Sequence, residues 1–219
     1  MIILPGIEGR SSLTWCIARG LADAGTDCAI VIHDWTTKHW PLFLFHLRAE
    51  RRNRREARAI ADRILNYQAS WPGRPVHLVG HSGGAALAVW ALELLPASAT
   101  VETAVLLAPA LAPTYDLSAA LQKTKQGIWN FHSPLDLFFL VAGTLLFGTV
   151  EGRHTIAAGN RGFSPPQELA AEERIIYETK LHQRRYSIDM LRQFHTGGHF
   201  GWTNRVFVAE TLAPILLGV

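Results

Sequence analysis

The chain has 219 residues, of which 48% are hydrophobic, 10% aromatic and 18% charged. This length fits a single domain over residues 1–219, and the apolar content supports a large buried core, which excludes disordered, collagen-like and coiled-coil proteins. The formal net charge is only +3, and six arginines lie together between Arg48 and Arg58, so the positive charge is local and nucleic acid is not expected as a partner.

Short apolar segments alternate along the chain with segments of helical periodicity. Strands are predicted at Met1–Leu4, Cys28–Ile32, Val76–Val79, Val101–Leu107, Ile128–Phe131 and Thr155–Ala158. Longer helices are predicted to begin at Ser11 or Ser12, Ala49, Ala85, Leu135, Ser164 and after Thr203. Strands that alternate with helices form a mostly parallel sheet covered on both faces. The predicted fold class is therefore α/β, a three-layer α/β/α sandwich.

No segment is typical of a membrane span or an export signal. The longest run without a charged residue or a histidine, Leu137–Val150, is shorter than the roughly 20 apolar residues that cross a bilayer, and it predicts a buried helix. The segment Met1–Arg10 lacks the regions of a signal peptide, so a cytoplasmic location is expected. Cys16 and Cys28 have no His or carboxylate partners at metal-ligand spacing, and neither a metal nor an organic cofactor is expected.

The strongest chemical signal is the segment Gly80-His81-Ser82-Gly83-Gly84, which lies between a predicted strand and a predicted helix. A serine at such a turn adopts strained backbone angles, and glycines on either side remove the Cβ atoms that would clash. The Ser82 hydroxyl would then project at a helix N-terminus, where free N–H groups stabilise an oxyanion. The alternative is a tight turn with a buried serine. The strand-to-helix context favours a nucleophile.

A serine nucleophile needs a base, and the base needs an acid that orients it. Of ten histidines, His199 is the best placed, because it lies in a glycine-rich loop ahead of the last helix; His195, in the same loop, is the alternative. Asp136 follows the strand that ends at Phe131 and is the favoured acid. Asp116 is the alternative acid.

The first loop of the chain, Pro5-Gly6-Ile7-Glu8-Gly9, is expected to reach the same edge of the sheet. The amides of Ile7 and Gly83 would then form a pair of oxyanion donors. A glycine-rich loop can also bind phosphate, but no Lys-Ser/Thr follows these glycines, so nucleotide binding is disfavoured.

These motifs together resemble the α/β-hydrolase superfamily. The matching segments are LPGIEG, GHSGG, SPLD and GGHF, in the order Ser, Asp, His, and they span nearly the whole chain. The resemblance implies a nucleophile at Ser82, an orienting carboxylate at Asp136 and a base at His199. It also implies an oxyanion hole at Ile7 and Gly83.

Two departures from the family pattern affect the expected shape. The first strand looks like the family's third, so the fold is expected to lack the first two strands. The stretch from Asp136 to His199 is longer than the family needs. Part of residues 145–195 is therefore expected to form a lid or accessory segment that covers the cleft and lines an acyl pocket.

An aromatic segment precedes the arginine cluster, and the two allow different interpretations. The aromatic residues are Trp35, Trp40, Phe43 and Phe45. This segment could bind an anionic membrane surface or a phosphorylated substrate. A core-packing segment followed by a solvated helix face is favoured over both.

The sequence thus predicts a serine hydrolase that cleaves carboxylic esters or thioesters through an acyl-enzyme on Ser82. The partner would be a small-molecule acyl substrate. The alternatives are a non-catalytic small-molecule binding protein of the same fold and an acyltransferase that uses the same triad. The oligomeric state and the acyl group cannot be read from the residues.

Overall fold

Buried apolar segments form one parallel sheet. The strands are β1 (Ile2–Leu4), β2 (Val31–Ile32), β3 (His77–His81), β4 (Thr103–Leu107), β5 (Ile128–His132) and β6 (Leu181–Arg185). The computed structural model describes residues 1–37, 46 and 49–218. Within these residues the six strands follow the order β2-β1-β3-β4-β5-β6, and each neighbouring pair is parallel.

Helices cover both faces of this sheet and complete a three-layer α/β/α sandwich. They are α1 (Ser12–Asp23), α2 (Glu50–Ser70), α3 (Gly83–Glu93), α4 (Ser118–Gln122), α5 (Thr144–Phe147), α6 (Ala158–Arg161), α7 (Ala171–Lys180), α8 (Arg205–Phe207) and α9 (Ala213–Leu217). In one layer α2 packs on α3, α3 on α4 and α4 on α7. In the other layer α1 packs against α8 and the π-helical segment Val208–Leu212 that leads into α9.

The centre of the molecule is the β3–α3 unit. All five residues of β3 are buried, and so is α3 from Gly83 to Leu92. A helix that is apolar on every side is stable only where protein surrounds it. The turn between β3 and α3 therefore has a rigid support on both sides.

The structure corrects three predicted elements. The helix predicted to begin at Ser164 begins only at Ala171, as α7. The predicted strand Thr155–Ala158 is wrong: its residues lead into α6, and the Ala157 and Ala158 amides donate to the carbonyls of Leu140 and Leu111. Instead β6 pairs with β5, and its segment Leu-His-Gln-Arg-Arg is largely exposed. A polar edge strand has no apolar pattern by which it could be recognised.

The run Leu137–Val150 is helical for much of its length, but it is not the buried helix that was predicted. A π-helical segment, Phe138–Gly143, continues into α5, and Leu137 is 62% exposed. Leu145 and Phe147 are also exposed. No helix in the described part of the chain is long and apolar enough to cross a membrane.

Several residues of the arginine cluster contact the protein itself. Arg54 lies 4.1 Å from the centroid of the Trp90 ring, and Arg52 donates to the Trp35 carbonyl oxygen. Trp35 is fully buried. These contacts are those of a helix that packs on the core through part of its basic face. Four residues of the predicted aromatic and basic segment lie outside the described residues: Trp40, Phe43, Phe45 and Arg48.

Candidate active site

Ser82 lies in the sharp turn between β3 and α3, with φ 53° and ψ −118°. A non-glycine residue rarely adopts these angles, and such strain is found mainly at functional sites. The neighbouring glycines explain how the turn closes. A Cβ at Gly84 would lie 2.3 Å from the Leu4 and Pro5 carbonyl oxygens, and a Cβ at Gly80 would lie 2.5 Å from the Ala85 Cα. The motif therefore allows α3 to approach β1 and β3 closely enough to hold the strained serine.

His199 and Asp136, which are 63 residues apart in sequence, form a short contact in the structure. The distance from His199 Nδ1 to Asp136 Oδ2 is 2.5 Å, and the two residues are 6% and 2% exposed. A carboxylate at Nδ1 keeps the proton on that nitrogen, so Nε2 of the neutral ring has a free lone pair. The pair thus has the tautomer that a general base requires.

The turn that carries Asp136 is held by a residue that the sequence did not identify. Asn160 in α6 donates through Nδ2 to the carbonyl oxygens of Ser133, at 3.1 Å, and Asp136, at 3.2 Å. The Ser133 amide in turn donates to the Gly159 carbonyl. Because Asn160 is buried, these bonds are protected from water. They fix the direction in which the Asp136 side chain leaves the turn.

Asp116, the alternative acid, has a different role in the structure. Its Oδ1 accepts from the Ser118 amide at 2.8 Å, from the Ser118 hydroxyl at 2.6 Å and from the Tyr177 hydroxyl at 2.9 Å. Burial raises the pKa of this carboxyl, but the hydrogen bonds from Ser118 and Tyr177 outweigh it and the pKa is lowered. Asp116 therefore joins the start of α4 to α7 and makes no contact with a histidine.

His195, the alternative base, is enclosed by aromatic rings. The Trp202 ring lies 4.1 Å from it between centroids, the Tyr186 ring 5.0 Å and the Phe207 ring 5.2 Å. Its Nδ1 accepts from the Gly197 amide at 2.9 Å, and burial lowers its pKa to about 4. Among the described residues no acid contacts this ring, which leaves it a packing residue of the glycine-rich loop.

The first loop lies beside the Ser82 turn, as the oxyanion-hole prediction requires. In the described part of the chain, neither the Ile7 amide nor the Gly83 amide donates to a protein acceptor. Two buried side chains fix the loop. Trp35 Nε1 donates to the Pro5 carbonyl at 2.7 Å, and His46 Nδ1 lies 3.1 Å from the Ile7 carbonyl. Because His46 Nε2 accepts from an amide, its Nδ1 is the donor to Ile7.

A second polar pair connects this loop to the histidine loop. His81, which is almost completely buried, places Nδ1 3.6 Å from Glu8 Oε1 and Nε2 3.3 Å from the His199 carbonyl oxygen. The rings of His81 and His199 are 4.9 Å apart between centroids. Glu8 and His81 therefore link the first loop, the Ser82 turn and the backbone of His199. They are 73 residues apart, so no sequence pattern could have joined them.

Ser82 and His199 open into one cavity of about 990 Å³. Its apolar lining includes Ile7, Phe139 and Phe200, and the Phe139 ring stacks on His199 at 4.8 Å. The Ser82 hydroxyl makes no hydrogen bond to a described residue, His199 included; catalytic hydrogen bonds often tighten only when substrate binds.

The expected lid or accessory segment, part of residues 145–195, stays a prediction. None of the described residues that line the cavity comes from residues 145–195. That segment supplies α6, α7 and β6 at the far edge of the sheet, and its Asn160 holds the turn of Asp136.

Burial has a clear effect on the charge of His199. Burial lowers the pKa of His199, while the hydrogen bond to Asp136 raises it in part and the nearby His81 lowers it further. The net direction is downward, so the ring is neutral at neutral pH and can accept a proton. No group of three or more metal-ligating side chains occurs within the described ranges.

Comparison with known proteins agrees with the fold. No curated protein matches the chain in sequence. A sequence model described as the alpha/beta hydrolase family matches residues 1–214, which is nearly the full length of the chain. Together with the parallel sheet and the Ser82 turn, this match shows that the chain belongs to the alpha/beta hydrolase family.

Proposed function

We propose that the protein is a serine hydrolase that cleaves carboxylic ester or thioester bonds through an acyl-enzyme on Ser82. Membership of the family supports hydrolytic activity in general. The observation that carries the specific proposal is the 2.5 Å contact between His199 and Asp136 at a cavity that Ser82 also lines. Nucleophile, base and orienting acid then have one candidate each.

The reaction begins when Ser82 Oγ attacks the acyl carbon and its proton passes to His199 Nε2. The imidazolium that forms is stabilised by Asp136. The tetrahedral intermediate collapses when the C–O or C–S bond breaks and the alcohol or thiol leaves with the proton from His199. Water then attacks the acyl-enzyme, gives its proton to His199, and the acid is released as Ser82 recovers the proton.

Charge develops on the carbonyl oxygen in both halves of the reaction. The amides of Ile7 and Gly83 are the donors proposed to stabilise it, and Gly83 lies at the N-terminus of α3, where backbone N–H groups are unpaired. Removal of one such donor costs about 100- to 1000-fold in other hydrolases. The bonds from Trp35 and His46 to this loop would keep the donors in place before substrate arrives.

A fluorophosphonate probe tests this function without knowledge of the natural substrate. The expected result is covalent labelling of the intact protein that is lost in Ser82→Ala and in His199→Ala, with Asp116→Asn as a control that still labels. Circular dichroism of each variant shows whether the fold is retained. Absence of labelling in the folded, intact protein would overturn the proposal in favour of a non-catalytic binding protein.

The leaving group can be examined with the same preparations. Matched p-nitrophenyl esters and acyl thioesters of short fatty acids should both be hydrolysed, and both activities should depend on Ser82. Addition of a competing alcohol separates water from another acyl acceptor. Products that are mainly new esters, rather than free acid, would identify acyl transfer as the principal reaction.

A further inference from the structure

The cavity that contains Ser82 has a second end, and that end is charged. It is lined by Arg10 from the first loop, Arg63 from α2, and His33 and Asp34 after β2. We propose that this end binds an anionic group, a carboxylate or a phosphate, on the part of the substrate that lies away from the scissile bond. The inference rests on the proposed function, because it assigns a substrate class to the same cavity.

Arg63 is the clearest indication of an anionic ligand. Its side chain lines the cavity but makes no salt bridge with any described residue. The residues outside the described part, 38–45, 47–48 and 219, contain no Asp or Glu side chain. An arginine that faces a cavity without an acidic partner can form a bidentate pair with a carboxylate or phosphate.

Arg10 is the second cation, and the protein fixes its position. Its Nη2 donates to the Ile32 carbonyl oxygen at 3.1 Å, at the end of β2. This single bond leaves other N–H groups of the guanidinium free for a ligand. Arg10 and Arg63 reach the cavity from different elements, so two independent parts of the fold supply positive charge to one end.

Asp34 is the acidic group at this end, and local hydrogen bonds occupy it. Its oxygens accept from the Thr36 hydroxyl at 2.7 Å, from the Thr36 amide at 3.0 Å and from the Arg10 amide at 3.3 Å. Burial raises the pKa of Asp34, but these hydrogen bonds outweigh it and the pKa is lowered. The carboxylate is therefore charged, and it offsets one of the two arginines rather than both.

His33 also lines this end of the cavity, and its imidazole has an acidic neighbour in Glu56. Its side chain is 13% exposed, and its buried Nε2 lies 3.6 Å from Glu56 Oε2, too far for a hydrogen bond. Burial and the charge of Arg63 lower the pKa of His33, although Glu56 opposes them. A neutral imidazole contributes no charge but can donate one hydrogen bond to an anion.

The end of the cavity near Ser82 carries an acidic group, so the anion is expected to bind away from the reacting carbon. Glu8 lines the cavity near Ser82, and its carboxylate would repel an anion held there. The lining of the cavity also includes the apolar side chains of Ile7, Leu13 and Ile32. These features fit an ester or thioester in which an apolar chain separates the scissile bond from a terminal anion.

The test compares two series of p-nitrophenyl esters with the intact protein. One series carries unbranched alkanoyl groups, and the other carries dicarboxylic acid monoesters of the same chain lengths, so that only the terminal carboxylate differs. The measured quantity is the ratio of kcat/KM for the carboxylate series to that for the neutral series. We expect this ratio to exceed one over a limited range of chain lengths and to fall as salt is added.

Arg63→Gln should reduce this ratio about 10-fold, because a charge-assisted hydrogen bond is lost. Arg55→Gln is the matched control: Arg55 is exposed on the same helix but does not line the cavity. This control should leave the ratio unchanged. Inhibition by alkyl carboxylates and alkyl phosphates of equal length then distinguishes the two anions, and the preferred one should bind more weakly to Arg63→Gln.

The outcomes separate the two proposals. If Ser82-dependent hydrolysis is present, but Arg63→Gln and Arg55→Gln give the same ratio and the same inhibition by alkyl phosphates, the anionic subsite is wrong and the hydrolase stands. If neither series is hydrolysed and no fluorophosphonate labels Ser82, the hydrolase itself is wrong.

Discussion

His195 and His199 lie four residues apart in one loop, and both are buried, but their surroundings differ. His199 contacts the Asp136 carboxylate and lines the cavity of Ser82. His195 is enclosed by Trp202, Tyr186 and Phe207, and its Nε2 has no hydrogen-bond partner. A buried imidazole becomes a base only where a carboxylate orients it and a nucleophile can reach it. The comparison shows that long-range partners, rather than the local sequence, give each ring its role.

The largest difference between the two rings should appear in catalysis. His199→Ala removes the proposed base and should lower kcat for a p-nitrophenyl ester by about 10⁴-fold or more. His195→Asn keeps an acceptor for the Gly197 amide and should change kcat less than about 3-fold, since His195 is outside the cavity. Steady-state kinetics of both variants measures the contrast. Similar losses in the two would show that the loop, and not His199 itself, supports activity.

The acidic partner of His199 provides the next test. Asp136→Asn should reduce kcat by about 10³- to 10⁴-fold, because the amide no longer holds the imidazole in the required tautomer. Asp116→Asn should instead lower the melting temperature, because Asp116 joins the start of α4 to Tyr177. Kinetic and thermal measurements on both variants separate the two roles. A loss of activity confined to Asp116→Asn would reverse the assignment.

His195 is expected to affect the stability of the fold rather than the activity. The pKa of His195 is about 4 in the folded protein, against 6.5 for the free side chain. Between these two pH values the unfolded chain therefore binds a proton that the folded chain does not bind. The contribution of His195 to the free energy of unfolding is fully present above pH 6.5, and it falls by about 3 kcal/mol as the pH approaches 4.

Denaturant unfolding at several pH values measures this loss. Between pH 6.5 and 4, the free energy of unfolding of His195→Asn should fall less than that of the intact protein, by that amount. Equal slopes for the variant and the intact protein would show that His195 is not buried in its neutral form.

The smallest expected effect concerns the Glu8–His81 pair, which supports His199 through its backbone. Glu8→Gln should lower kcat about 10-fold with little change in KM, because His81 loses its acidic neighbour and the His199 loop is held less well. Partial recovery in Glu8→Asp would indicate that the carboxylate positions His81. A change confined to KM would assign Glu8 to substrate binding alone.

The dependence of kcat/KM on pH tests the pKa of His199. Burial lowers its pKa, so its neutral, reactive form persists into mildly acidic solution. The acidic limb of kcat/KM should therefore have its midpoint below pH 6.5, the ordinary value. A midpoint above that value would mean that the effect of Asp136 exceeds that of burial.

The sequence contains much of the catalytic geometry because the Ser82 turn requires a local pattern. Gly80 and Gly84 are needed where backbone atoms approach within 2.7 Å of a Cβ position. The strand-turn-helix context of this motif and the family's motif order then led to Asp136 and His199. Both meet in the structure, and the parallel α/β/α fold follows from the alternation of strands and helices.

Features that depend on distant contacts could not be predicted in this way. The bonds from Asn160 to the Asp136 turn and the pair of Glu8 and His81 each join segments far apart in the chain. The strand β6 is polar, and the apolar segment at residues 155–158 is a buried connection rather than a strand. The structure of these segments is determined by tertiary packing. A local period of two or 3.6 apolar residues carries no information about such contacts.

The central claim is that Ser82 forms an acyl-enzyme. Its most direct test is the mass of the intact protein after acid quenching of a reaction with a p-nitrophenyl ester, followed by peptide mapping. The account predicts a single acyl adduct on Ser82 that is absent in Ser82→Ala and disappears as water regenerates the enzyme. Ester hydrolysis with the adduct on another residue, or with equal activity in Ser82→Ala, would contradict it.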